Sequence, residues 1–286
     1  MNEININNLK WDTDLKRILL GDKYDETNPI KNILMGKIDQ NYMDNKNDYY
    51  KYSRGHLENY QIVEDVFQKL TNHKDTGFKD IMNSFWITYK CLLQIEYPKI
   101  FKPFGNEIVS IKKPPFYGEI NDSYIKHYEE NLKVSDVIVN DKNQKLDWIT
   151  FLIDNFDRFD KVNKVTELKD FAKLTHTIGN ITIVPAGFNR GRNDYDYWDY
   201  ALVKLRNFLE TIDSWDNYVQ KNHMEPFLSN TYRPVPLLEG HLNDSKLTLP
   251  QDSDVIKKSL KFINGSIEER GRKMINSLNQ SSYESN

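Results

Sequence analysis

Ala172, Ala186 and Ala201 are the only alanines in a chain of 286 residues. Helices here lack the residue of best intrinsic propensity, so they hold only where an aliphatic or aromatic face is buried against the rest of the fold. The chain is supplied for that, with 38% hydrophobic and 13% aromatic residues, enough for a sizeable core in one large domain or two smaller ones. Asn, Ile, Lys and Tyr make up about a third of the sequence. AT-rich codons produce that bias, which points to a low-GC bacterium or its mobile elements and not to an activity.

Charge narrows the function classes. Lys plus Arg number 39 and Asp plus Glu 42, a formal net charge of -3, which supplies no global electrostatic reason to bind nucleic acid or an anionic membrane. No apolar run approaches the roughly 20 residues that span a bilayer, and Met1 to Lys10 is Asn-rich without a leader pattern. The expectation is a soluble cytoplasmic protein without a membrane partner. Cys91 is the single cysteine, so an internal disulfide, a Cys-cluster zinc site and a CxxC redox pair are excluded. P-loop, GxGxxG and GxSxG patterns are absent, which disfavours nucleotide-dependent and α/β-hydrolase chemistry.

Pattern along the chain predicts an α+β protein, predominantly helical, with a small β element near residues 105-111, 134-139 and 178-185. Asn28-Pro29 is a helix start, with Ile30, Ile33, Leu34 and Ile38 following at helical spacing. Residues 39 to 55 read as a tyrosine-rich loop, and Leu57 to Leu70 as an amphipathic helix. Phe78 to Tyr97 is apolar on most sides and reads as a central buried helix that Pro98 ends. Further helices are expected over 146-159, after Thr166, over 195-210, over 214-228 and over 255-278, with a Pro-rich loop at 229-252. No repeat and no low-complexity linker divides the chain, so one α-rich domain is expected, with a weak internal boundary near 140.

The sharpest change of character is THTIGNITIVPAGFNRGRN at 175 to 193. Gly179-Asn180 suits a tight turn with positive φ, Ile181 to Pro185 a strand, and the loop beyond holds two arginines and two asparagines. Arg190 and Arg192, with Asn180, are candidate anion or phosphate contacts. The plainer alternative is a strand entering a core and arginines paired with Asp194 and Asp196. HTIGNITIVP, followed by Asn189, Asn193 and an aromatic helix with Lys204, resembles the second half of the HNH-type C-terminal domain of GmrSD-like restriction proteins, over about 30 residues. The resemblance implies a ββα metal-dependent nuclease in which Gly179 and Asn180 shape the turn and Asn189 and Asn193 sit near the metal or scissile phosphate, with Mg²⁺ or Mn²⁺ as cofactor. The family's upstream histidine in an acidic-His-Ile context is missing here. His176 is the substitute candidate for the general base, and the catalytic set on this reading is His176, Asn189 and Asn193. No other cofactor is indicated and no metal ligand is identifiable.

Other candidates carry weaker signals. Arg54-Gly55-His56 opens a helix, and the His–Glu pairs in HMEPF at 223 to 227 and EGH at 239 to 241 lack the spacing of a helical zinc site. Lys257, Lys258, Lys261, Arg270, Arg272 and Lys273 make the last helix locally basic, read either as an acidic-partner or nucleic-acid face or as a solvated one. Cys91, in an apolar helix, is a packing residue. Seventeen tyrosines, clustered at Tyr42 to Tyr52 and Tyr195 to Tyr200, suit surfaces that bind proteins. The function expected is binding of a protein partner, plausible settings being phage defence or counter-defence; the alternative is a divergent HNH-like metal-dependent nuclease, for which nucleic acid is the partner.

Overall fold

Local chemistry starts a helix where Asn28-Pro29 places it. Asp25 accepts hydrogen bonds from the Thr27 amide at 2.8 Å and the Thr27 hydroxyl at 2.6 Å, and Asn32 bonds back to the Asp25 backbone at both ends of its amide. Helix α1 then runs over 29–35 and buries Ile30, Ile33 and Leu34. The computed structural model describes residues 9–15, 17, 24–35, 61–71, 78–83, 85–98, 152–153, 155–185, 199–229, 242–243, 246–247 and 252–283. Helix α2, Gln61–Thr71, turns Val63, Val66 and Phe67 inward.

The stretch expected as one buried helix divides. Phe78–Ile81 forms strand β1, and the helix, α3, begins only at Phe85 and runs to Glu96. The reason is a non-local pairing: β1 lies antiparallel to β2, Ile181–Val184, in the register Phe78↔Val184, Lys79↔Ile183, Asp80↔Thr182 and Ile81↔Ile181. Lys79 is buried on β1 and forms an ion pair with Glu64 of α2. A cross-strand ladder and a partnered buried lysine outweigh the helical period of the segment. The pairing also links chain on the two sides of position 140, which itself lies outside the described residues, as do the strands expected at 105-111 and 134-139.

Between 155 and 175 the chain makes a 3-10 turn, Phe156–Phe159, a one-turn helix α4, Asp160–Asn163, and α5, Thr166–Leu174, whose Leu168, Phe171, Ala172 and Leu174 are buried. A 3-10 turn, Ile178–Asn180, leads into β2. Helix α6, Asp199–Thr211, and α7, Trp215–Lys221, follow. The helix expected over 214-228 stops at Lys221 because His223 takes φ 52°, a left-handed conformation no α-helix continues through; Glu225–Phe227 then closes as a separate 3-10 turn. Two residue pairs of the Pro-rich region, Leu242–Asn243 and Lys246–Leu247, form the hairpin β3–β4.

Helix α8, Ser253–Tyr283, is the longest element among the described residues and organises the others. Ile256, Leu260, Ile263, Ile267, Met274 and Leu278 recur on one face and are buried. The first four belong to a cluster with α1, α3, α5, α6 and α7. Met274 and Leu278 belong to a second cluster with Leu9, Leu15, Val63, Val66, Phe67, Ile178 and Ile181. The architecture is predominantly helical α+β with a small antiparallel sheet. No helix among the described residues is long and apolar enough to cross a membrane.

Candidate functional site

The GNITIV segment is built from the end of α5 outward. Thr175 and Thr177 turn their hydroxyls back onto the last carbonyls of α5, to Phe171 at 2.7 Å and Leu174 at 2.8 Å, so acceptors that the helix leaves open are filled by side chains. His176 between them is 7% exposed, and its carbonyl accepts from the Leu15 amide at 3.2 Å. His176, the candidate base, is thus a buried side chain at the end of α5.

Asn180 is fully buried and its amide is fully used. Nδ2 donates to the carbonyls of Thr175 at 2.9 Å and Asn83 at 3.1 Å, while Oδ1 accepts from the Asn83 amide and Asn83 Nδ2, both at 3.0 Å. Four bonds exhaust what an asparagine offers. The expected anion contact by Asn180 is therefore corrected: the side chain staples the turn to the end of β1, where Met82 also donates to the Asn180 carbonyl at 2.7 Å.

Gly179 needs a second correction. No positive φ occurs there; instead a Cβ built on it would lie 2.1 Å from the Ile267 carbonyl oxygen and 3.0 Å from the Gly271 nitrogen. Glycine is required because two backbones, the turn and α8, meet at that point. The close approach aims the turn's carbonyls at Arg270, a fully buried side chain. Its Nη1 donates to Gly179 at 2.8 Å and Ile181 at 2.6 Å, with Ile178 at 3.4 Å, and its Nε donates to Asn222 at 2.9 Å. Among the described residues no carboxylate forms an ion pair with it. Burial pulls its pKa down to about 10, opposed by Tyr218 and Glu225, so it remains a cation at neutral pH, solvated by backbone dipoles. Arg270 is therefore no part of a basic outer face of α8; it lies inward, where the turn before β2 and the end of α7 meet that helix.

Tyr218 continues the network. Its hydroxyl donates to the Ile183 carbonyl at 2.6 Å and lies 2.7 Å from Thr182 Oγ1, while its ring stacks on Trp215 with centroids 6.0 Å apart. Burial raises its pKa to about 12, which keeps the phenol protonated as a donor. His223, in its left-handed turn, brings Nε2 to 3.3 Å from Ser277 Oγ of α8, and its pKa is lowered by burial first and then by the Arg270 charge.

The structure thus brings His176, Gly179 and Asn180 into one turn and packs them. Asn189, Arg190, Arg192, Asn193 and His241 lie outside the described residues, as do Arg54, Gly55 and His56. Cys91 is buried, as its apolar setting predicts. No cluster of three or more His, Cys, Asp or Glu among the described residues is arranged to hold a metal. The partners that sequence reasoning missed are Asn83 and Arg270. For Arg270 a signal existed, since it falls in phase with Ile263, Ile267 and Met274 on the buried face of α8. No family model, no curated protein and no solved structure matches the chain.

Proposed function

We propose that this protein works by binding a protein partner through the C-terminal end of α6, in a bacterial or mobile-element setting of the kind its composition suggests. The observation that carries the reading is the pair Phe208 and Ile212, 45% and 55% exposed and one helical turn apart. Their neighbours Leu205 and Leu209 satisfy the helix's inward face, so the outer pair is not needed for packing. A large aromatic and a β-branched aliphatic side chain held at the end of a helix are the kind of anchors that protein interfaces use. The helix end beneath them is fixed: Ser214 donates to the Leu209 carbonyl at 2.9 Å, Asp213 takes φ 55°, and Arg206 pairs with Glu210 at 2.5 Å. The burial of His176 and the exhausted amide of Asn180 support a structural rather than catalytic role for the first part of the GNITIV segment.

The test is capture by the immobilised chain beside a Phe208→Asp/Ile212→Asp variant of unchanged far-UV circular dichroism. Stoichiometric capture of one protein by the wild type and its loss in the variant is the expected result. Equal capture, or none by either, refutes it.

The alternative reading, a metal-dependent nuclease, draws support from the order of parts along the chain, the turn at Ile178–Asn180, strand β2 and then α6. It predicts cleavage of supercoiled plasmid, single-stranded DNA or RNA in Mg²⁺ or Mn²⁺ that EDTA stops. Such cleavage, lost in a folded His176→Ala variant, would replace the binding reading.

A further inference from the structure

Arg270 uses only part of its guanidinium on the carbonyls of the turn and of Asn222. Nη1 and Nε are engaged there, whereas Nη2, in a side chain with no exposed surface, has no hydrogen-bond partner among the described residues. A guanidinium is planar and its five N–H bonds point in fixed directions. One N–H of Nη2 therefore runs parallel to the Nε–H, which donates to the Asn222 carbonyl at 2.9 Å. A buried donor is thereby aimed beside that carbonyl, toward the bend between the end of α7 and the 3-10 turn Glu225–Phe227.

That bend carries two buried acceptors in the same condition. Asn222 is 7% exposed, and its Nδ2 donates to the Tyr218 carbonyl at 3.0 Å, while its Oδ1 has no partner among the described residues. Glu225 Oε2 is a buried atom without a hydrogen bond, and Lys273 Nζ stands 3.8 Å from it, beyond hydrogen-bond reach. Lys273 lies three residues after Arg270 on α8, so this carboxylate is set against the same turn of the helix. Its charge acts on Arg270 and on His223 alike. His223 itself is directed elsewhere, with Nε2 3.3 Å from Ser277 Oγ.

One donor and two acceptors converging on a buried corner define what complements them. An anion would accept from Nη2 but would face two oxygens that also accept, and a cation would suit the oxygens but face the guanidinium. A direct Arg270–Glu225 ion pair would leave Asn222 Oδ1 unpaired. A group that accepts once and donates twice satisfies all three. We infer that this corner is a binding site for one internal water molecule, which accepts from Arg270 Nη2 and donates to Asn222 Oδ1 and Glu225 Oε2. Three hydrogen bonds is the usual complement of a buried water. Through it Glu225 serves as the counter-charge of the buried arginine at one remove, and the end of α7, the 3-10 turn and α8 are tied at a single point. The site is separate from the Phe208–Ile212 pair and does not depend on it.

A high-resolution crystal structure of the full chain tests the site directly. The expected result is one ordered water oxygen within about 3.2 Å of Arg270 Nη2, Asn222 Oδ1 and Glu225 Oε2 together. A corner without that water, or a Glu225 carboxylate bonded straight to Nη2, overturns the proposal. In solution, urea unfolding of Asn222→Ala, Glu225→Ala and the double variant reads the same link, because two side chains that share one water do not act independently. The folding constant of the double variant should fall short of the product of the two single losses by about fivefold or more. Glu225→Gln, which keeps an acceptor oxygen, should lose less than Glu225→Ala. Losses that multiply without coupling, or a Glu225→Gln variant as weakened as Glu225→Ala, also overturn it.

Discussion

Three glycine-to-alanine substitutions should change stability in a graded order that the backbone geometry dictates. At Gly179 the new methyl would stand 2.1 Å from the Ile267 carbonyl oxygen, so the turn and α8 must part by about 1 Å to reach ordinary contact, an overpacking effect that costs about 1–3 kcal/mol. The same displacement stretches the Arg270 bonds to Gly179 and Ile181, at 2.8 and 2.6 Å, and each hydrogen bond to a charged group contributes about 1.5–3 kcal/mol. Losing one of them brings the total for Gly179→Ala to roughly 3–5 kcal/mol. At Gly271 the methyl would meet the Trp11 carbonyl oxygen at 3.4 Å and the Gly179 Cα at 3.6 Å, at the edge of ordinary contact. There the gain of about 0.8–1.0 kcal/mol from helix propensity is partly offset, and the net lies near zero. At Gly265 the methyl meets nothing, so Gly265→Ala should stabilise by about 0.8–1.0 kcal/mol. Equilibrium urea unfolding in dilute protein, followed by circular dichroism and tryptophan fluorescence, gives the three midpoints. A Gly179→Ala protein as stable as the wild type, or Gly265→Ala less stable than Gly271→Ala, would refute the close-approach reasoning.

Arg270→Met should be destabilising by about 3–5 kcal/mol although it removes a buried charge that no carboxylate among the described residues pairs, because the carbonyls of Gly179, Ile181 and Asn222 lose their donor; a smaller shift in the urea midpoint than that of Asn264→Ala would sink the carbonyl-cage account. Asn180→Ala should lower stability by about 2–3 kcal/mol through the loss of buried hydrogen bonds to Asn83 and Thr175, which thermal unfolding measures. His223 has a folded pKa below its ordinary 6.5, so the unfolded chain takes the proton first. Stability attributable to it is whole above about pH 6.5 and declines as pH falls through the window below; Arg270 and Lys273 repel the added charge and Glu225 partly offsets them. His223→Asn, which keeps a residue tolerant of left-handed φ, should flatten the slope of unfolding midpoint against pH between pH 7 and 5, and an unchanged slope would assign that dependence elsewhere.

Periodicity made the helices legible where one face had to be buried. Ile30, Ile33 and Leu34 in α1, Val63, Val66 and Phe67 in α2, and the stripe of α8 all lie inward as their spacing predicts. It failed at Phe78 to Ile81, since a strand of four residues with a lysine and an aspartate at its centre carries no local signature. Its partner, β2, lies about a hundred residues downstream, and Asn83 bonds to Asn180 across a separation of 97 residues. The turn at 178–180 was readable as a turn, yet its glycine was assigned to backbone conformation when the cause is the approach of α8, a contact that no short window reveals. Arg270 was misplaced for a related reason: counting charges along a helix ignores phase, and its phase matches Ile267 and Met274.

The arginine cage also has a consequence for the order in which the chain leaves the ribosome. The carbonyls at 178, 179 and 181 are synthesised about 90 residues before the guanidinium that receives them, and both core clusters remain open on one side until α8 is complete. Folding that depends on such distant contacts is slow and is decided late. Nascent chains released before residue 253 would expose the apolar faces of α2, α3 and α5 together, making them ready substrates for chaperones and proteases.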